Sequence, residues 1–300
     1  MYQAVQFSKL FRVNYTRKDQ YAVLKIRKIL KEVMTHLALI WTVARYNNKA
    51  TFQGHYFGIA WEIINPLIQI SLYFFVFGAI RDNNLVRIEF AGNSISIQFL
   101  PWMLVGMAAW MFMNRATLSA SQSVQKKIGL VSKMQFPISI LPAMDVAAKL
   151  VAYFITTLIV IAIIIIAFSF TPTIFWLQYF YYLIAMLIFV YFFALLNSTL
   201  TIMFRDYHQI LKPIMQLFFW FSGVIWRVHE MRSIPNWLVR LMDLNPFSYI
   251  LTGFRYTFFS QAFFWEHWET TVFFWLLILV LAIVSSHLHL KLRSKFIDLV

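Results

Sequence analysis

The segment AYFITTLIVIAIIIIAFSF, residues 152–170, carries no charge and constrains this chain more than any other stretch. A helix that spans a bilayer must cross about 30 Å of hydrocarbon, which takes roughly 20 apolar residues. A second run, FFWLLILVLAIVSS at 273–286, has the same character. One such run fits a buried helix of a soluble domain, but several in one chain do not. Composition agrees: 61% of the residues are hydrophobic, 19% aromatic and 13% charged. Soluble domains carry about a quarter charged residues. The chain therefore reads as an all-α polytopic membrane protein. Six transmembrane helices are expected, over about 57–80, 98–120, 140–169, 174–203, 211–227 and 268–290.

The formal charge of +14 is unevenly placed. Lys and Arg far outnumber acids before span 1, between spans 2 and 3, between spans 4 and 5, and after span 6. The intervening segments are balanced. Positively charged loops stay in the cytoplasm, so both termini are expected there and the protein in the cytoplasmic membrane. The charge then serves anionic lipid rather than nucleic acid, because no basic stripe lies on a soluble fold. The first sixty residues lack the apolar core and cleavage site of a signal peptide. There is no cysteine, hence no disulfide.

Residues 22–45 have Val23, Ile26, Leu30, Val33, Leu37, Ile40 and Ala44 at alternating steps of three and four. That spacing predicts one amphipathic helix, with Lys25, Lys28, Lys31, Glu32 and Thr35 on its polar face. A basic amphipathic helix before a membrane span lies most simply in the headgroup interface. Residues 1–56 are thus expected to form a cytoplasmic segment, 57–290 the membrane domain and 291–300 a cytoplasmic tail.

Span 1 opens with GIAWEIINPLIQ. On a helix, Gly58, Glu62, Asn65, Gln69 and Tyr73 share one face, with Trp61 nearby. Polar groups in hydrocarbon are costly, so this stripe should face protein or a wet path. Pro66 cannot donate to the Glu62 carbonyl and should kink the helix. In span 5, Lys212, Gln216, Phe219 and Gly223 share a face with Trp220 at its edge. Helix–helix contact explains any one of these residues. Together, Trp61, Glu62, Asn65, Gln69, Tyr73, Gln216, Phe219 and Trp220 suit a path for a sugar-like chain, with aromatic faces for C–H groups and amides for hydroxyls. Glu62 would repel a phosphate-rich polymer and is expected to pair with a basic residue.

HYFGIAWEIINPLIQISLYFFVFG, VSKMQFPISILP, FRDYHQILKPIMQLFFWFSGVIW and NPFSYILTGFR resemble the signature segments of the membrane subunit of type-2 ATP-binding-cassette polysaccharide exporters. Within that family they are most similar to the wall teichoic acid exporter permeases of Gram-positive bacteria. The similarity runs from about residue 20 to the end of the chain. The family often has Ser-Pro in span 5, where this chain has Ser222-Gly223. The resemblance implies export of a lipid-linked wall teichoic acid, or of another lipid-linked polysaccharide such as an O-antigen or capsule. It also implies a homodimer bound to two copies of an ATP-binding-cassette subunit. A coupling helix would fall in 121–136, with Lys126, Lys127 and Lys133 facing the ATPase and the Arg205-Asp206 turn beside it. Short re-entrant helices over 233–262 would form an outer gate containing Asn245, Pro246, Phe247 and Arg255.

Independently of the resemblance, Asn245 and Pro246 read as the N-cap and first residue of a short helix. Asp145 and Lys149, four apart, read as an internal ion pair. His287 and His289 read as an interfacial anchor rather than a metal site. No G-x-x-x-x-G-K-[ST] motif occurs, so ATP and Mg would bind another chain, and no cofactor is expected on this one. A polytopic glycosyl- or acyl-transferase would need clustered carboxylates, and the acids here are scattered. A secondary transporter would show an inverted repeat with matched breaks, and span 1 carries its Asn-Pro break alone.

Overall fold

A computed structural model describes residues 24–52, 56–80, 85–90, 93–131, 137–204, 206–226, 235–259, 263–293 and 296. Among them the fold is helical apart from one β-hairpin. Residues 24–35 form α1. It is followed by α2 (Leu37–Phe52), α3 (Trp61–Ile80), strands β1 (Leu85–Phe90) and β2 (Asn93–Gln98), α4 (Phe99–Ser121) and α5 (Ser123–Val131). Then come α6 (Ile140–Phe168), α7 (Gln178–Met203), α8 (Tyr207–Phe221), α9 (Asn236–Asp243), α10 (Pro246–Phe259) and α11 (Trp268–Leu292). The hairpin, which the sequence reading did not foresee, pairs Leu85 with Gln98 and Phe90 with Asn93. β2 runs directly into α4.

Three described helices are long and apolar enough to cross a membrane: Ile140–Phe168, Ile174–Met203 with its short 3-10 lead-in, and Trp268–Leu292. These are the expected spans 3, 4 and 6. α4 differs because it is the centre of the bundle. It packs on α6 and α7 and is also touched by α3, α8 and α10. Every residue from Pro101 to Met113 is buried. Small residues (Gly106, Ala108, Ala109, Ala116 and Ala120) let neighbouring backbones approach. A helix wrapped in protein need not be as apolar as one wrapped in lipid. The expected span 5 is displaced and short. α8 has 15 residues, roughly 22 Å at 1.5 Å each, and ends before Gly223, whose φ of 62° is left-handed. A proline could not take that φ, so the glycine here makes a turn where the resembling family kinks.

The expected continuous amphipathic helix is broken at His36. The His36 ring Nδ1 donates to the Glu32 carbonyl at 2.7 Å, occupying the acceptor that the next turn needs. The His36 backbone N–H turns instead to the Val33 carbonyl. Glu32, expected on the polar face, is a tether. It accepts from Arg293 Nη1 at 3.2 Å and from the Ser139 hydroxyl, joining α1 to the ends of α11 and α6. Lys25 adds a bond to His287 at 2.9 Å. His289 is not an interfacial anchor: it is fully buried, with Nδ1 3.0 Å from the Thr199 hydroxyl of α7. The apolar faces of α1 and α2 meet the bundle through Ile29, Ile40 and Ala44. In a double-mutant cycle, Glu32→Gln and Arg293→Gln should show a coupling of about 1 kcal/mol, because the pair is partly screened by solvent. Thermal unfolding of the purified chain measures it, and additive effects would remove the tether.

Candidate functional site

Three regions carry the residues singled out from sequence. The first surrounds the start of α3. Pro66 is buried, Trp61 and Gln69 are half-buried, and Asn65 is exposed. Trp61, Asn65 and Pro66 line a cavity of about 260 Å³ together with residues of α4 and α6. That lining includes Arg115 and Lys149, neither of which was expected there. Lys149 is therefore not the close partner of Asp145. α5 brings Lys127 across to Asp145 at 2.5 Å, a shorter reach than the i,i+4 pairing along α6. The side chains of Glu62 and Tyr73 lie outside the described residues, and with them the expected pairing of Glu62.

The second region is α8. His208, Leu211, Met215 and Phe219 are buried, while Lys212, Gln216 and Trp220 are exposed. Phe219 thus parts from the face it was expected to share with Gln216. It is an aromatic that packs better than it slides, and its ring sits 5.6 Å from Trp110 of α4. Lys212 Nζ donates to Gln209 at 3.0 Å. At the start of α8, His208 Nδ1 lies 2.8 Å from the Ser121 hydroxyl at the end of α4. Nearby on α5, Lys126 is exposed and Lys127 is held by Asp145. Asp206 is exposed, and Lys133 and Arg205 lie outside the described residues.

The third region is the segment expected as an outer gate. Two short helices, α9 and α10, occupy its described part. Asn245 caps α10 by accepting from Phe247 N–H at 3.1 Å. Its amide donates to the Ser222 hydroxyl at 2.8 Å, which donates on to the Phe218 carbonyl at 2.5 Å. Phe247 is buried among the rings of Trp110, Phe189, Phe193 and Phe218, which come from α4, α7 and α8. Arg255 is 5% exposed, so its charge must be satisfied by protein. It donates to the carbonyls of Trp102 at 3.3 Å, Gly223 at 3.0 Å and Val224 at 2.7 Å. Its guanidinium also lies 3.4 Å from the Trp102 ring centroid. A Cβ on Gly106 would sit 2.3 Å from Arg255 Nη2. One cation therefore ties α4, the turn after α8, and α10.

Among the described residues no group of three His, Asp or Glu side chains could hold a metal. What the three regions provide is a set of helices clamped at both ends, with a polar cavity near one end. The family model for ABC-2 type transporters matches residues 38–259. The chain belongs to the ABC-2 type transporter family. That match runs from the second residue of α2 to the end of α10. The chain is also similar to the O-antigen export system permease protein RfbA of Myxococcus xanthus, with 21% identity over 244 residues, 80% of this chain and 85% of that protein. Two RfbA proteins of Klebsiella pneumoniae are 19% and 20% identical over 262 residues, 87% of this chain and 94% of each. As an ABC-2 transporter chain it is a multi-pass membrane protein, and Arg255 clamps its transmembrane core.

Lysine in place of Arg255 keeps the charge but cannot reach three carbonyls from one planar head. Arg255→Lys should cost roughly 2–4 kcal/mol through carbonyls left unpaired. A fall in the thermal unfolding midpoint of the detergent-solubilised chain measures this, and an unchanged midpoint would contradict the clamp.

Proposed function

We propose that this chain is the membrane subunit of an ATP-driven exporter of a lipid-linked polysaccharide. The ATPase would be a separate chain in two copies, and this chain would form a homodimer with six spans per copy and both termini in the cytoplasm. The observation that supports this most is the exposed polar side of α8. Lys212, Gln216 and Trp220 lie open on a helix too short to cross alone. Such groups do not face lipid, so a second copy or a hydrophilic path must cover them. Asn65 and Gln69 supply the matching polar groups on α3. The relatives named for O-antigen export support a glycan of that class over the teichoic acid that the sequence resemblance suggested. Glu62 and Tyr73 stay in the proposed lining with Trp61. Phe219 supports the path from behind, through Trp110.

The exposed face of α5 is the proposed contact for the ATPase, with Lys126 foremost and Asp206 beside it. ATP-driven closure of the partner would press α5 and α1, and the Glu32 and Asp145 ion pairs would carry that push into α6 and α11. Asn245, Pro246, Phe247 and Arg255 would act as the fixed root of the outer gate. Lys127 is committed to Asp145, so Lys126 is the residue that reports docking without disturbing the fold. Lys126→Glu should lower export and glycan-dependent ATPase activity by about tenfold in the co-purified complex, a charge reversal at an interface. Trp61→Ala and Trp220→Ala should lower glycan export at unchanged protein level. Full export and full ATPase activity in all three variants would contradict the assignment.

A further inference from the structure

The hairpin between α3 and α4 is a sheet of two strands. β1 and β2 pair antiparallel, and among the described residues no third strand joins either edge. The N–H and C=O groups of alternate residues leave a strand on opposite sides, so each outer edge carries donors and acceptors that β1–β2 pairing does not use. Two strands of six residues are marginal alone, and three or more are the ordinary stable unit. β2 has no charged residue, and it passes from buried Ile97 through Gln98 straight into α4. β1 reads Leu85-Val86-Arg87-Ile88-Glu89-Phe90, and about Ile88 it is complementary to itself. Reversed in direction, apolar residues fall on apolar residues and Arg87 falls on Glu89. Two identical antiparallel strands related by a two-fold axis must be centred on a residue that faces its own copy. Centring on Arg87 or on Glu89 sets like charges face to face, which is unfavourable. Centring nearer an end pairs fewer residues. Centring on Ile88 sets Arg87 opposite the partner's Glu89, and Glu89 opposite the partner's Arg87. It also sets Val86 opposite the partner's Phe90. Opposite-charge pairs and aromatic–β-branched pairs across strands are both stabilising.

We propose that β1 is an interaction surface for a second copy of this chain, the two β1 strands pairing antiparallel about Ile88 into one sheet ordered β2–β1–β1–β2. The proposal rests on the homodimer of the exporter reading and names one contact between its copies. Main-chain hydrogen bonds supply the attraction, as in other strand additions, and the charges set the register. The hairpin enters α4 at its start, whereas α5, the proposed ATPase contact, follows its end. The 23 residues of α4 separate the two by roughly 34 Å. A joint at the hairpin therefore holds the copies together at one end of α4 while the ATPase moves the other, so that they pivot without parting.

The chain has no cysteine, so one introduced thiol reports one contact. In membranes holding the full chain, oxidation of Ile88→Cys should give a disulfide-linked dimer. A residue opposite its own copy has Cα atoms about 4.5–5.5 Å apart, within disulfide reach. Ser96→Cys on β2 should give none, since three strand spacings put its copy at least about 14 Å away. The charges are tested with two differently tagged copies, both carrying Ile88→Cys. Arg87→Glu paired with itself, or Glu89→Arg paired with itself, brings like charges together, and crosslinking should fall about fivefold. Co-expressed, the two variants should crosslink to each other and restore the yield, which a role of Arg87 and Glu89 within one chain does not produce. Three results would overturn the joint: a dimer in native mass spectrometry with no crosslink at Ile88→Cys, a crosslink through Ser96→Cys in its place, or equal yields from like and mixed charge pairs. A chain that is monomeric throughout would remove the homodimer as well. None of these readouts needs ATP or glycan, so a crosslinked dimer that exports nothing supports the joint while removing the exporter reading.

Discussion

Everything in the transmembrane core leans on one buried guanidinium. Arg255 sits where water does not reach and is satisfied by three backbone carbonyls and the face of Trp102. Two of those carbonyls exist as free acceptors because α8 stops at Phe221 and turns left-handed at Gly223. A chain that leaves its helix inside a membrane has carbonyls in the following turn without helical donors, and something must satisfy them. Here a side chain from α10 does so. The same contact holds α10 against α4, where Gly106 leaves room for the Arg255 head. On the other side of α10, a Cβ on Gly253 would lie 2.0 Å from the Tyr182 ring of α7, so that packing also depends on a missing side chain. The short α8, the left-handed glycine and the two small-residue contacts are parts of one solution to the cost of unpaired backbone in hydrocarbon.

At the other end of the bundle the helices are joined by ion pairs and side-chain hydrogen bonds. Glu32 reaches both α6 and α11, and Lys127 reaches α6 from α5. Ser121 meets His208 across the join between α4 and α8. Short polar links between rigid helices transmit displacement well, because each has few alternative geometries. An ABC-2 transporter needs such transmission if its energy arrives from another chain. The cavity holding Arg115 and Lys149 lies just inside this linked end, so movement of α3 relative to α4 and α6 would change its shape.

The long uncharged runs made spans 3, 4 and 6 legible within a few residues, because lipid-facing helices must be apolar all round. The Asn245 cap and the short helix after it were legible for a local reason, since an Asn-Pro pair carries its own geometry. What stayed hidden depended on distant partners. Glu32 looked like a solvent-facing acid because its partner Arg293 is 261 positions away. Asp145 looked paired with Lys149 because helical spacing offers that pair, whereas α5 supplies Lys127 from outside the helix. Phe219 passed for a lining residue because an angular projection does not know that Trp110 lies behind it. The hairpin at 85–98 was missed although Ile95 and Ile97 alternate with polar residues, a strand signal obscured by the helical runs around it. The family resemblance located the chain correctly as an ABC-2 transporter, and the relatives' names agree with the O-antigen alternative it carried rather than with the teichoic acid it favoured.

The most direct measurement is transfer of a lipid-linked glycan in inverted membrane vesicles that contain this chain and its co-expressed ATP-binding subunit. The account predicts that the glycan becomes protected inside the vesicles only with ATP, only when both chains are present, and without need of an ion gradient. Transfer that persists without the ATP-binding subunit and follows an imposed proton or sodium gradient would contradict it.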